Sequence, residues 1–517
     1  MNKGIIYTLA LLEGSAVMVA ELCCNKLITP YFGTSVQVWA ATLGVTLTML
    51  AAGYLVGSYL SKDYNKSTKY LKLCFFIASI SLILTSIFAN WLASNLLNYS
   101  LEVGSTITLF FVLAPTLIPL GACSSLFINL LNENLKALSG KASGIIYFTS
   151  TFGGVISTFL VGFYLLPEFG VKETLIAFGI LLGLGLLLID GKRTVTNKSL
   201  FLFLGIILVS TTVFAFERKV NSYFNIKYET DGLLGNIKVI EHKSDFLGKT
   251  DKIGRGLVVN NTLQTYMDIT DPLHSSIWEW SNIIPTALSI YRDQKPKVLL
   301  CGLGGGTIVK QLRLLGYEFE VVELDKRLIE IDKKYFFLDG NVKITIDDAR
   351  HFINVTDEKY DIIIFDTFLS ESAPEQLLSK EALTLVKSKL KKGGMLLTNF
   401  YGFTSGDLGY AARSVIKTYM AAGFKVYPLA TPGNEDGRNL LIIGTDEDKD
   451  FANVLYEETD GMKITDIRAL IIPKELIDIE DAEVLSDNNP KLSKLYSEPS
   501  QMWKKGYNNI YTKRLYK

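Results

Sequence analysis

Four carboxylates and one glycine loop in the second half of the chain have the types and the order needed to hold a nucleoside and move a proton. "VLLCGLGGGTIVKQL", Val298 to Leu312, puts Gly302, Gly304, Gly305 and Gly306 directly after an apolar run and before a helical pattern. Missing Cβ atoms there let the backbone approach a ligand and turn tightly into a helix. About twenty residues on, Glu323 closes a second apolar run, where a carboxylate can accept hydrogen bonds from both ribose hydroxyls. "IDDAR" places Asp347 and Asp348 at the end of a third run, on the side where the exocyclic amine of an adenine would lie. "YDIIIFDTF" carries Asp366 behind three isoleucines and a phenylalanine, a partly desolvated position from which a carboxylate can hold or deprotonate an amine. Each acid alone is also explained as a solvated turn residue. Their succession points to an adenosine-containing ligand, and the loop lacks the G-x-G-x-x-G register expected for NAD.

These residues reach one edge only if strands and helices alternate around them. Candidate strands are Lys297 to Cys301, Glu318 to Leu324, Val342 to Ile346, Tyr360 to Asp366, Gly394 to Phe400, Phe424 to Leu429 and Asn439 to Gly444, with helical patterns between most of them. That alternation predicts a doubly wound, mostly parallel sheet of the Rossmann-like, class I methyltransferase type, with ligands at the carboxyl ends of the strands. Upstream, "NIKVIEH" and "GRGLVVNNTLQTYMD" alternate apolar and polar residues around Gly and Asn turns and predict a few antiparallel strands, followed by a helix from Ser275 to Tyr291.

The first 216 residues are of another kind, with long charge-free runs in a chain that is 49% hydrophobic. Seven stretches approach the roughly 20 apolar residues needed to cross a bilayer: Ile5 to Ile28, Val38 to Leu60, Leu71 to Leu92, Ile107 to Leu130, Ile145 to Leu166, Thr174 to Ile189 and Leu200 to Phe216. The organisation expected is a helical membrane domain at 1–216, a small β region with a helix at 223–292, the nucleoside-binding domain at 293–446 and a charged extension without a clear motif at 447–517. No signal peptide is evident, so the first segment is expected to stay. "GYLVG", Gly53 to Gly57, has the small-residue spacing that lets membrane helices approach closely. Glu13 and Glu21 lie in the first stretch, eight residues apart, where an acid is costly and calls for a partner or a function.

Lys+Arg 52 against Asp+Glu 52 provides no field to recruit nucleic acid. Five cysteines in apolar surroundings read as core residues, and three scattered histidines give no metal-ligand spacing, so no metal site is expected. Lys62, Lys66 and Lys69, then Lys136 and Lys141, then Lys192, Arg193 and Lys198 fall in alternate loops, which puts those loops on the cytoplasmic side. With seven spans the domain after Phe216 would emerge opposite them, whereas use of an intracellular nucleotide favours the cytoplasm.

The ordered pieces "LVVNNTLQTYMD", "GLGGGT", "VVELD", "DDAR" and "IIFDTFLSESAPEQLLSKEAL" resemble the spermidine synthase (polyamine aminopropyltransferase) family. "ELCCNKLITPYFGTSVQVWAATLGVTLTMLAAGYLVGSYL" and "ASGIIYFTSTFGGVISTFLVGFYLLPEFG" are similar to the multi-spanning domain fused to some of its members. The resemblance implies a transferase that moves an aminopropyl group from decarboxylated S-adenosylmethionine to a small amine such as putrescine, with no permanently bound cofactor and no metal. It implies that Gln264 and Glu323 contact the nucleoside, Asp348 and Ala349 the adenine, and that Asp366 takes a proton from the acceptor amine, with Glu279 and Glu371 as weaker candidates for the substrate. Lipid is an expected partner, and a homodimer is compatible with the resemblance.

Three departures from the family pattern stand out, at four positions. Gly305 stands where an acidic residue usually meets the donor's free amine, Leu369 replaces a second aspartate, and Ile277 and Trp278 replace a tyrosine and a histidine or glutamine before Glu279. Intact S-adenosylmethionine as donor to a methyl or other alkyl transfer is therefore an alternative, and a non-catalytic nucleoside or polyamine sensor or transporter is a second.

Overall fold

The computed structural model describes all residues except 34, 98, 136–138, 191–196, 217–219, 233, 244–252, 271–275, 278, 369–371, 436–437, 459–460 and 517. The chain forms two compact units, one of residues 1–219, 230–237 and 516–517, the other of 220–229 and 238–515.

The first unit is a helical bundle. Its elements are α1 Lys3–Phe32, α2 Val36–Leu60, α3 Tyr64–Leu96, α4 Leu101–Leu135, α5 Ser139–Leu160, the short α6 Leu166–Phe169, α7 Val171–Asp190 and α8 Asn197–Ala215. A π-turn over Val161–Leu165 carries α5 into α6, just ahead of Pro167, whose ring nitrogen has no N–H to donate back along the helix. Counting α5 and α6 as one, seven helices among the described residues are long and apolar enough to cross a membrane. Most overrun the hydropathic stretches, α3 and α4 most clearly, because a helix continues past its apolar part until a cap ends it. Asn2, Ser35 and Asp63 cap α1, α2 and α3 with side-chain oxygens that accept the N–H groups of Gly4, Val38 and Asn65.

Small residues set how these helices meet. A Cβ on Gly53 would lie 2.5 Å from the Ile118 carbonyl oxygen, and one on Gly57 equally close to that of Ala122, so α2 and α4 touch backbone to backbone. Gly14 and Gly153 do the same for α1 and α5, with 1.9 Å to the Ser150 oxygen and 2.2 Å to that of Leu11. Close approach of this kind, with the hydrogen bonds it permits, is what joins helices wherever lipid gives no hydrophobic drive between them. Glu13 is buried among them and accepts hydrogen bonds from the hydroxyls of Ser124 on α4 and Ser150 on α5, at 3.3 and 2.7 Å. Glu21 is buried on the same helix.

The second unit begins with a four-stranded sheet, β1 Phe224–Thr230, β2 Ile237–Lys243, β3 Ile253–Val259 and β4 Thr262–Asp268, in that spatial order, with β3 and β4 antiparallel. Asn260 and Asn261 join β3 to β4 with φ of 49° and 62°, the left-handed pair that a two-residue hairpin of this twist requires. The helix expected from Ser275 is α9 Glu279–Leu288, which continues as a 3₁₀ turn to Tyr291.

The main sheet then alternates as expected: β5 Lys297–Cys301, α10 Thr307–Leu314, β6 Glu318–Glu323, α11 Lys326–Tyr335, β7 Ile344–Ile346, α12 Ala349–Val355, β8 Tyr360–Phe365, α13 Lys380–Lys389, β9 Leu390–Tyr401, α14 Tyr410–Ala421, β10 Lys425–Ala430 and β11 Asn439–Thr445. The strand order is β10-β11-β9-β8-β5-β6-β7. β11 runs antiparallel to both of its neighbours, and the other strands are parallel. β5 and β8 are buried almost throughout, as strands covered by helices on both faces must be.

The final stretch has more structure than its composition suggests. It forms a hairpin, β12 Val454–Glu458 with β13 Gly461–Thr465, then α15 Leu492–Leu495 and α16 Ser497–Asn508. Trp503 of α16 stacks on Tyr401 at the end of β9 with ring centroids 4.0 Å apart. Trp503, Tyr507 and Tyr511 recur every four residues, a helical aromatic stripe hidden in an otherwise charged segment.

Gly53→Leu should push α2 from α4 and destabilise the full-length protein in nanodiscs by roughly 1–3 kcal/mol, the usual range for overpacking. Gly44→Leu is the control, since a Cβ at Gly44 of α2 meets nothing within 4 Å. Equal melting temperatures for the two variants would refute the close-packed seam.

Candidate active site

The loop after β5 is shaped by its glycines. Gly302, Gly304 and Gly306 have φ of 96°, 55° and 69°, the left-handed region that side chains disfavour. Gly302 is constrained twice, because a Cβ there would also stand 2.0 Å from the Asp366 carbonyl oxygen. Two hydrogen bonds stitch the strand ends around it: the Gly302 N–H donates to Val322 at 2.8 Å, and the Asp366 N–H to Cys301 at 2.9 Å. The loop and the strand end carrying Asp366 are thus in direct backbone contact.

Gly305 has a different reason. Its N–H donates to Thr265 Oγ1 of β4 at 2.8 Å, and a Cβ on it would come within 2.7 Å of Thr265 Cγ2 and 2.9 Å of Oγ1. Thr265 fills the space an acidic side chain at position 305 would start from. Gln264 precedes it at an irregularity in the pairing of β3 with β4, where Thr265 lies opposite Leu257 and Leu263 opposite Val258. The structure brings Thr265 to the loop. Thr265 was not singled out from the sequence, where a threonine in an alternating strand carries no signal.

Glu323, at the end of β6, is buried and accepts the N–H groups of Leu303 and Asp325, one on each oxygen, both at 2.7 Å. Burial raises its carboxyl above the ordinary value, and the backbone donors oppose the rise. Asp348 caps α12 by accepting the N–H groups of Arg350 and His351 on one oxygen, at 2.8 and 3.1 Å. Ala349 follows it as the first, buried residue of α12. Asp347 turns outward and faces His351 Nδ1 at 2.7 Å.

Asp366 stands half-buried beyond β8. Burial raises its carboxyl above the ordinary aspartate value, and a 2.9 Å hydrogen bond from Asn399 Nδ2 opposes that. Asn399 lies at the end of β9 and in turn accepts a 2.8 Å hydrogen bond from Asn439 Nδ2 at the start of β11. Neither asparagine was identified from the sequence, although each is a polar residue next to an apolar strand run, in "LLTNFY" and "NLLIIG". The side chain of Glu279, and Glu371 with Leu369 and Trp278, lie outside the described residues. No group of three or more His, Cys, Asp or Glu able to hold a metal ion occurs among the described residues.

This edge presents a buried carboxylate at Glu323, a glycine loop and the desolvated carboxylate of Asp366. Residues 282–404 match the spermine/spermidine synthase domain. Polyamine aminopropyltransferase 2 of Aquifex aeolicus is 25% identical over 462 residues, 86% of this chain and 88% of that relative. A match that long extends beyond the second unit into the helical one. Polyamine aminopropyltransferase of Vibrio vulnificus is 31% identical over 230 residues, 43% of this chain and 72% of the relative. Among solved structures, a probable spermidine synthase from Corynebacterium glutamicum matches 53% of this chain and 97% of its own, at 17% identity and a TM-score of 0.38.

Gly302→Ala should abolish nucleoside binding in calorimetry, since the new methyl has no place that keeps β5 and β8 in register. Gly305→Asp alone should weaken binding by its clash with Thr265, and Gly305→Asp with Thr265→Gly should recover it; a single variant that binds as the parent does would refute this steric coupling.

Proposed function

The chain belongs to the polyamine aminopropyltransferase family, and on that premise we propose that it moves the aminopropyl group of decarboxylated S-adenosylmethionine to a small primary amine, with Asp366 as the base. The observation that supports this most is the backbone contact between Gly302 and Asp366, which sets a proton acceptor directly beside the loop that receives the donor.

In this reading Glu323 takes the ribose hydroxyls and Asp348, through the oxygen its helix cap leaves over, the adenine amine. The glycine loop lets the sulfonium end of the donor reach Asp366. The acceptor nitrogen attacks the carbon beside the sulfonium. A C–N bond forms, the C–S bond breaks with its electrons on sulfur, and methylthioadenosine leaves. The amine gives up a proton to the Asp366 carboxylate. The sulfonium is already a good leaving group, so the residues mainly hold the two substrates in line and keep the amine neutral. The seven apolar helices would anchor the catalytic unit to a bilayer.

A second reading is favoured by Gly305 and Thr265, which place no carboxylate at the loop position that would meet a cationic donor tail. An intact S-adenosylmethionine would then be tolerated as donor of a methyl or other alkyl group. Purified full-length protein given decarboxylated S-adenosylmethionine and putrescine should release methylthioadenosine. S-adenosylhomocysteine formed from S-adenosylmethionine, with no methylthioadenosine, would establish the second reading.

Asp366→Asn should retain nucleoside binding and lose turnover by roughly a hundredfold or more, the scale for removing a general base. The base works as the carboxylate, whose pKa burial raises. Activity should therefore fall on the acid side at a pH above that of an ordinary aspartate, and a pH profile without that limb would exclude Asp366 as the base.

A further inference from the structure

The hydrogen bonds behind Asp366 run in one direction. Asn439 Nδ2 donates to Asn399 Oδ1 at 2.8 Å, and Asn399 Nδ2 donates to Asp366 Oδ1 at 2.9 Å. An asparagine amide has one accepting and one donating end. With its oxygen engaged by Asn439, Asn399 has only its NH₂ group to turn toward the carboxylate.

The sheet fixes this order. β8 and β9 are parallel with Phe365 opposite Thr398, so the next residue on each, Asp366 and Asn399, sit side by side at the strand ends. β11 runs the other way and begins at Asn439, opposite Tyr401, which puts its amide diagonally across from Asn399. The backbone of Asn439 is clamped in turn: its N–H donates to Thr431 Oγ1, and its carbonyl accepts the Thr431 N–H, both at 2.9 Å. Asn399 is buried, with 8% of its surface exposed, so water does not compete for its amide.

We propose that Asn399 is a positioning residue for the transfer reaction: locked by Asn439, it binds Oδ1 of Asp366 and leaves Oδ2 aimed at the acceptor amine. Among the described residues nothing donates to Oδ2. The inference rests on Asp366 being the base. A hydrogen bond from a neutral donor favours the charged form of a carboxylate, and one made to a single oxygen also stops the carboxylate from rotating. Burial of Asp366 makes both effects matter, since an unassisted carboxylate there would hold its proton further up the pH scale.

The test is full-length protein assayed for methylthioadenosine release across pH. Asn399→Asp keeps the shape and removes the donor. It should lower kcat by roughly ten- to a hundredfold, the loss for one hydrogen bond to a charged group, with KM for donor and acceptor nearly unchanged. Its acid limb should move to higher pH, because two adjacent carboxylates share a proton. Asn439→Leu, further from the base, should shift both in the same direction by less. Asn399→Asp with the parent's kcat and pH profile would overturn the inference, as would an Asn399 variant whose whole loss lies in KM. If Asp366→Asn keeps its turnover, the base reading itself has failed. If Asp366→Asn is inactive while Asn399→Asp is normal, only the positioning role is lost.

Discussion

At the carboxyl ends of β5 and β8 the backbone of Gly302 lies against the Asp366 carbonyl, so close that a β-carbon there would be 2.0 Å from the oxygen. The rest of the site follows from that contact. It turns the chain out of β5 into the loop, sets the loop beside Asp366, and leaves the N–H groups of Gly302 and Asp366 to tie β6, β5 and β8 together at their tips. Glu323 reinforces the arrangement from the other side, since its carboxylate accepts the Leu303 N–H inside the same loop. The residue read as a ribose ligand is therefore also a strut of the loop that would deliver the ribose to it.

The carboxylates along this edge differ in what surrounds them rather than in chemistry. Glu323 is buried and satisfied by backbone donors, which suits a fixed acceptor. Asp348 is committed on one oxygen to capping α12, so a ligand finds only the other. Asp366 is desolvated and has one side-chain donor, the setting of a base. Like residues acquire unlike properties because burial and hydrogen bonding act on them separately.

In the helical unit the governing constraint is the close approach of helix backbones. Contacts such as Gly53 with Ile118 and Gly14 with Ser150 are backbone contacts, and only glycine permits them. Glu13 sits in the second of these seams. An acid at the centre of a membrane helix costs on the order of 3 kcal/mol by insertion scales, more than the roughly 0.6 kcal/mol that an interhelical hydrogen bond recovers on average. Two serine hydroxyls therefore do not by themselves explain its presence, and the sequence expectation that it has a partner or a function is met only as to the partner.

The order of strands and helices, the seven apolar helices and the edge on which Glu323, Asp348 and Asp366 stand were legible in the sequence, because hydrophobic period and glycine position are local properties that act through neighbours in the chain. The C-terminal helix was not, since its aromatic stripe is meaningful only against Tyr401. Nor were Thr265, Asn399 and Asn439. Thr265 matters because β4 brings it to Gly305, forty residues away. Asn399 and Asn439 matter because a reversed strand lays one amide against the other. The sequence by itself determined which chemistry is present and on which strand ends. Tertiary structure alone decided which groups lock that chemistry in place, since a hydrogen bond across strands depends on register and direction, and neither is written in the local run of residues.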